Sequence, residues 1–150
     1  MIQNIKDYYQ ISDRLATSGQ PNPEQFESIA KSGYQIIINL AVSSSTNAIA
    51  NEGVIVTDLG MVYLQIPVDW EDPKLEDVRL FFKAMQTFED YQIWVHCAKN
   101  MRVSCFIYLW QKYILQLSDN EARYPMNRIW QPTGIWQQLI ERAEKTPILN

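Results

Sequence analysis

Residues 91–106 read YQIWVHCAKNMRVSCF. An apolar run, Tyr91–His96, leads directly into Cys97, and from Val103 to Leu117 the pattern becomes helical and strongly apolar. The first suits a strand buried on both faces, and the second a central helix covered on most sides. Strand, short loop and helix in succession form the repeating unit of an α/β fold, where ligands bind at the carboxyl ends of strands. The loop from His96 to Ser104 is therefore the candidate site.

The same alternation extends upstream. Tyr34–Leu40 (YQIIINL) is a second continuous β-branched run, Val62–Val68 a third strand, and Ile11–Ser18 a first strand closed by the turn Gly19-Gln20-Pro21. Between them lie helical segments. Asn22 caps one with Pro23 at its first position, Phe26, Ile29 and Ala30 on one face, and Gly33 as its stop. Ala48–Leu59 has helical spacing and ends at Gly60, while Leu75–Phe88 is amphipathic. Ser43–Thr46 and Asp69–Pro73 are polar loops, and Asn120–Trp130 and Ile135–Ala143 read as two further helices. The expectation is one α/β domain over residues 1–150, in two or three layers. A central, mostly parallel sheet of about four to five strands is flanked by helices.

Composition narrows the partners. With 47% hydrophobic and 20% charged residues the 150-residue chain is globular and long enough to bury a core. A net charge of -4 argues against a nucleic acid or an anionic membrane as partner. Two cysteines, Cys97 and Cys105, make no disulfide framework, the start MIQNIKDYYQ lacks the pattern of a signal peptide, and no apolar run is long enough to span a membrane. These features predict a reduced, cytoplasmic compartment, and they specify no oligomeric state.

The chemistry follows from position. A helix N-terminus offers unpaired N–H groups and the positive end of a dipole, which together favour an anion. A cysteine there is favoured as thiolate: an ordinary thiol titrates at ~8.5, whereas helix-N-terminal cysteines fall to about 3.5–7.5. Arg102 adds a permanently charged fork that matches phosphate bidentately, with Lys99 a second cation in the loop. Asn100 is the best non-glycine residue where a loop must visit positive φ to turn its amides inward.

His96-Cys97, a short loop, Arg102 and Ser104 resemble the H-C-x5-R-[ST] loop of the cysteine-dependent protein tyrosine phosphatases, and the order of elements resembles their compact dual-specificity branch. SGQP (18–21), IINL (37–40) and IPVDW (66–70) are similar to the small bacterial phosphatase-like domains formerly of unknown function. Those domains are related to the phosphatase-like part of β-lactamase-hydrolase-like proteins. The resemblance runs from Ile11 to Trp110.

It implies a phosphatase acting on a phosphorylated protein or small molecule, without metal or cofactor. Cys97 is the nucleophile it implies, with Ala98, Lys99, Asn100, Met101 and Arg102 as the phosphate cradle. His96 and Ser104 support the loop, Ser104 by bonding the departing sulfur. An acid comes from the loop PVDWEDP, where Asp69 is the better match and Asp72 either the alternative acid or a helix cap. Here only four residues separate Cys97 from Arg102. Either the loop is one residue shorter and Arg102 keeps its role, or Val103 takes the arginine's place and the side chain turns by ~100°. A binding module that holds phosphate without hydrolysing it, and a rhodanese-type sulfurtransferase, are the alternative functions. Cys105, on the apolar helix, reads as core.

Overall fold

Along β3 (Ile36–Asn39) and β5 (Ile93–His96) every side chain is buried, and successive residues point to opposite sides of one sheet. The computed structural model describes residues 1–148. With β1 (Tyr9–Ser12), β2 (Leu15–Ser18) and β4 (Val62–Gln65), these strands form a five-stranded sheet in the order β1-β2-β5-β3-β4. β2, β5, β3 and β4 are parallel, and β1 is antiparallel to β2. This is the mostly parallel α/β sheet expected, with helices on both faces.

On one face Ile36, Ile38, Ile93 and Val95 pack against α3 (Leu75–Thr87), α4 (Met101–Tyr113) and α7 (Ile135–Lys145), through Phe81, Phe106, Trp136 and Leu139. On the other, Ala16, Ile37 and Trp94 meet α1 (Pro23–Lys31) and α2 (Glu52–Asp58) through Phe26, Ile29 and Val56. Each such large apolar side chain contributes about 1.5–3 kcal/mol when fully buried, so the sheet is the rigid support of whatever its strand ends carry. Parity then places His96. Two residues after Trp94, it faces α1 and α2, with its ring centroid 5.8 Å from that of Phe26.

Local chemistry sets most boundaries. Asn22 and Gln25 exchange side-chain to backbone bonds (2.8 and 2.9 Å) in a capping box at the start of α1. Four expectations are corrected. The single strand over Ile11–Ser18 is a hairpin: the chain turns at Asp13-Arg14, Ser12 pairs with Leu15, and β1 reaches back to Tyr9. α2 begins at Glu52, four residues late, after a turn at residues 50–51. α4 begins at Met101, so the loop after β5 is only Cys97–Asn100. Asn120–Trp130 is two short helices, α5 (Asp119–Ala122) and α6 (Met126–Ile129), because Pro125 has no N–H to continue a helix. No helix among the described residues is long and apolar enough to cross a membrane.

Candidate active site

The cysteine loop is held by the turn that follows β2. Cys97 N donates to Ser18 O (3.4 Å) and Gln20 N to Ala98 O (3.2 Å), while Asn47 Nδ2 reaches the same Ala98 carbonyl at 3.1 Å. Gly19 permits this approach, since a Cβ there would stand 2.8 Å from Ala98 O. Asn100 has φ 62 and caps α4, and its Nδ2 donates to Asp7 O (2.9 Å) and Thr17 Oγ1 (3.0 Å), fixing a conformation that most residues resist. The first intrahelical bond runs from Ser104 N to Asn100 O at 2.9 Å. The amides of Met101, Arg102 and Val103 precede it and face out of the helix end.

Beside this end lies a cleft of about 640 Å³, lined by Cys97, Ala98, Lys99, Met101 and Arg102 from the loop and helix, by Ser44–Thr46, and by Asp69–Glu71. Of the two candidate acids Asp69 lines the cleft. Asp72 does not belong to that lining and forms an exposed pair with Lys74 at 3.8 Å. Nor does Asp72 cap α3; Asp77 Oδ2 takes Lys74 N at 3.1 Å instead. Inside the acid loop Asp69 Oδ1 accepts from Glu71 N at 2.9 Å.

Arg102 is buried along the cleft wall, whereas Val103 is fully buried in the core, so at the helix start the guanidinium, not the valine, borders the cleft. Its Nη1 donates to Val68 O (3.0 Å) and Nη2 to Ser45 Oγ (3.2 Å). Ser104 differs from expectation. Its only hydroxyl hydrogen goes to Met101 O (3.0 Å), and its oxygen accepts from Trp130 Nε1 (3.1 Å), so in this arrangement it has no donor for the sulfur.

Beneath the loop sits a buried pair absent from the sequence reading. His96 Nε2 lies 2.7 Å from Glu52 Oε2, and Nδ1 faces Cys97 O at 3.3 Å. A carboxylate only accepts, so Nε2 is the nitrogen that donates to Glu52. Glu52 also accepts from Gln20 Nε2 at 2.7 Å. Burial pushes the Glu52 carboxyl up, but the hydrogen bond and charge of His96, with bonds from Gln20 and Tyr63, outweigh it and hold the group below its ordinary value. Burial also pushes the Tyr63 hydroxyl up to about 12, with the Glu52 charge adding to the effect.

One signal would have found Glu52: it falls between Ile49 and Val56 on the apolar stripe of its helical pattern, where an acid needs a partner. Ser45, Asn47 and Trp130 carry no comparable mark. Cys105 is fully buried, and burial pushes its thiol well above the ordinary range.

Similarity to known proteins follows the same outline. The family model described as DSP-PTPase phosphatase fused to NAD+ kinase matches residues 4–144. That match extends past Trp110 and takes in the C-terminal helices. A phosphatase-like DUF442 protein of Shewanella putrefaciens CN-32 is 37% identical, with a TM-score of 0.86 over 96% of this chain and 95% of that one. A β-lactamase hydrolase-like protein of Xylella fastidiosa (strain Temecula1) is 35% identical over 95 residues, 61% of this chain and 22% of that protein's length. Tk-PTP in its active form shares the fold, with a TM-score of 0.76 at 18% identity over 93% of this chain and 97% of that one.

Proposed function

This chain belongs to the family described as DSP-PTPase phosphatase fused to NAD+ kinase, and on that premise we propose that it hydrolyses phosphomonoesters through a phosphocysteine at Cys97. The substrate is a protein phosphotyrosine or a small phosphorylated molecule. The observation that carries the proposal is the one cleft that Cys97, Arg102, Lys99 and Asp69 line together, at the carboxyl end of β5 and the amino end of α4.

The Cys97 thiolate attacks phosphorus as the bond to the ester oxygen breaks, and Asp69 gives its proton to that oxygen. The amides of Met101, Arg102 and Val103 supply fixed donors to the equatorial oxygens, aided by the positive end of α4. Arg102 spends two of its five N–H donors on Val68 O and Ser45 Oγ, which hold the side chain in place and leave three for the anion. Water then attacks the phosphocysteine, Asp69 takes its proton, the sulfur–phosphorus bond breaks, and inorganic phosphate leaves with the thiolate restored. His96 and Glu52 stay out of reach of the substrate and steady the Cys97 carbonyl from below.

Turnover of p-nitrophenyl phosphate by the wild type, Cys97→Ser and Asp69→Asn tests the proposal. A general acid contributes about 10²–10⁴-fold, least where the leaving group is already stabilised, so on this ester Asp69→Asn is expected to lose at most about 10²-fold and Cys97→Ser all measurable turnover. The four-residue spacing between Cys97 and Arg102 favours a second reading, a module that binds phosphate and does not turn it over. Wild-type turnover no higher than that of Cys97→Ser, with thermal stabilisation by inorganic phosphate, would replace the first reading with the second.

A further inference from the structure

The acid loop is fastened at both ends by α7. Trp136 Nε1 donates to Trp70 O at 3.0 Å, just after Asp69, and Arg142 Nη2 donates to Pro73 O at 3.2 Å, where the loop closes. The Trp70 ring lies against both Trp130 and Trp136, with centroids 5.4 and 5.3 Å away. Trp130 in turn donates to Ser104 in the first turns of α4, the helix whose N-terminus forms the cradle. The Asp69 main chain is turned within this frame by the bond from Asp72 N to Asp69 O at 3.1 Å.

Aromatic packing alone would account for the three rings. It would not account for two donors from one helix aimed at main-chain carbonyls on either side of a short polar loop. A carbonyl in such a loop is ordinarily satisfied by water; here Trp136, which is 2% exposed, reaches out of the core to take one, and Arg142 takes the other.

We propose that Trp136 and Arg142 are positioning residues for the acid: α7 holds residues 69–73 so that the Asp69 carboxyl stands at the leaving-group side of the cleft before substrate arrives. This rests on the assignment of Cys97 as nucleophile and Asp69 as acid. The physical ground is that a proton donor works only within hydrogen-bond reach of the leaving oxygen, and that a displacement of ~1 Å costs up to about 10²-fold.

Leaving-group dependence separates positioning from mere packing. Phenyl phosphate releases a basic phenoxide and needs the acid, whereas p-nitrophenyl phosphate releases a stabilised one and needs it far less. Trp136→Phe keeps an aromatic ring and removes the donor. It is expected to lose about tenfold in kcat on phenyl phosphate and under about twofold on p-nitrophenyl phosphate. Added to Asp69→Asn, it should cost nothing further on either substrate, because the group it positions is gone.

Arg142→Gln changes an exposed side chain that leaves the fold intact. It is expected to show the same split at about threefold, and it alone decides the matter if Trp136→Phe does not fold. Equal losses on both esters, or no loss on either while Asp69→Asn still shows the split, would overturn the positioning role and leave Asp69 standing. If Asp69→Asn itself shows no split, the acid assignment fails, and the positioning role with it.

Discussion

Replacing Glu52 with glutamine alters one atom of a buried network, and the structure says what it should cost. Glu52 and His96 are 4% and 0% exposed and meet at 2.7 Å, while the other carboxylate oxygen accepts from Gln20 at 2.7 Å. A hydrogen bond to a charged group contributes ~1.5–3 kcal/mol against ~0.5–1.5 for a neutral one, so neutralising the acceptor loses about 1 kcal/mol at His96. The new amide NH2 would face Gln20 Nε2, donor against donor. Gln20 Oε1 is buried without a partner, and rotating that amide brings it to the new donor, at the loss of the Gln20 bond to Pro21 O at 3.0 Å. That adds about 1 kcal/mol, for a sum of about 2 kcal/mol.

In urea, where small domains have slopes of ~1–3 kcal/mol/M, the midpoint should fall by about 1 M at neutral pH. The pH dependence carries a sign. The folded carboxyl titrates below its unfolded value, so its stabilisation is full above the ordinary value of about 4.3 and is lost as pH falls through the lower, folded one. The gap between wild type and Glu52→Gln should close in acid. A difference under about 0.5 kcal/mol at neutral pH, the ordinary effect of a surface substitution, would refute the reasoning, as would a gap that stays constant into acid.

Asn100→Ala is expected to destabilise by about 2–3 kcal/mol in the same assay, from the cost of φ 62 and the loss of bonds to Asp7 O and Thr17 Oγ1. Asn100→Gly should recover about 1 kcal/mol of that, because glycine adopts the conformation without strain. Iodoacetamide should leave Cys105 unlabelled in the folded protein at mildly alkaline pH, since burial pushes its thiol well up; mass spectrometry finding Cys105 labelled ahead of Cys97 would contradict its place in the core.

What was legible follows from the range of the interactions involved. IIIN and IWVH open with three consecutive β-branched or aromatic residues each, and Asn22-Pro23 with Gln25 is a self-contained cap, so neighbours in sequence suffice to read them. The hairpin within Ile11–Ser18 is not legible, because the turn at Asp13-Arg14 is marked by neither glycine nor proline and the segments on each side of it are very short. Asp72 looks like a helix cap beside Pro73, but the chain takes its cap from Asp77 two residues inside α3. Ser104 has the right spacing to serve the sulfur, yet an indole 26 residues downstream and a local carbonyl occupy its hydroxyl.

The sequence by itself determined the α/β class, the position of the candidate site at the end of a buried strand, and the choice of Cys97–Arg102 as its candidate loop. Each rests on residues within one or two turns of one another. Tertiary structure decided the rest. It brought Asp69, not Asp72, to the cleft, placed Glu52 under His96 across 44 residues, and tied the acid loop to α7 across more than 60. Those contacts depend on how helices on the two faces of the sheet are set against it. That placement is fixed by the summed burial of the whole core, and no local stretch of residues encodes it.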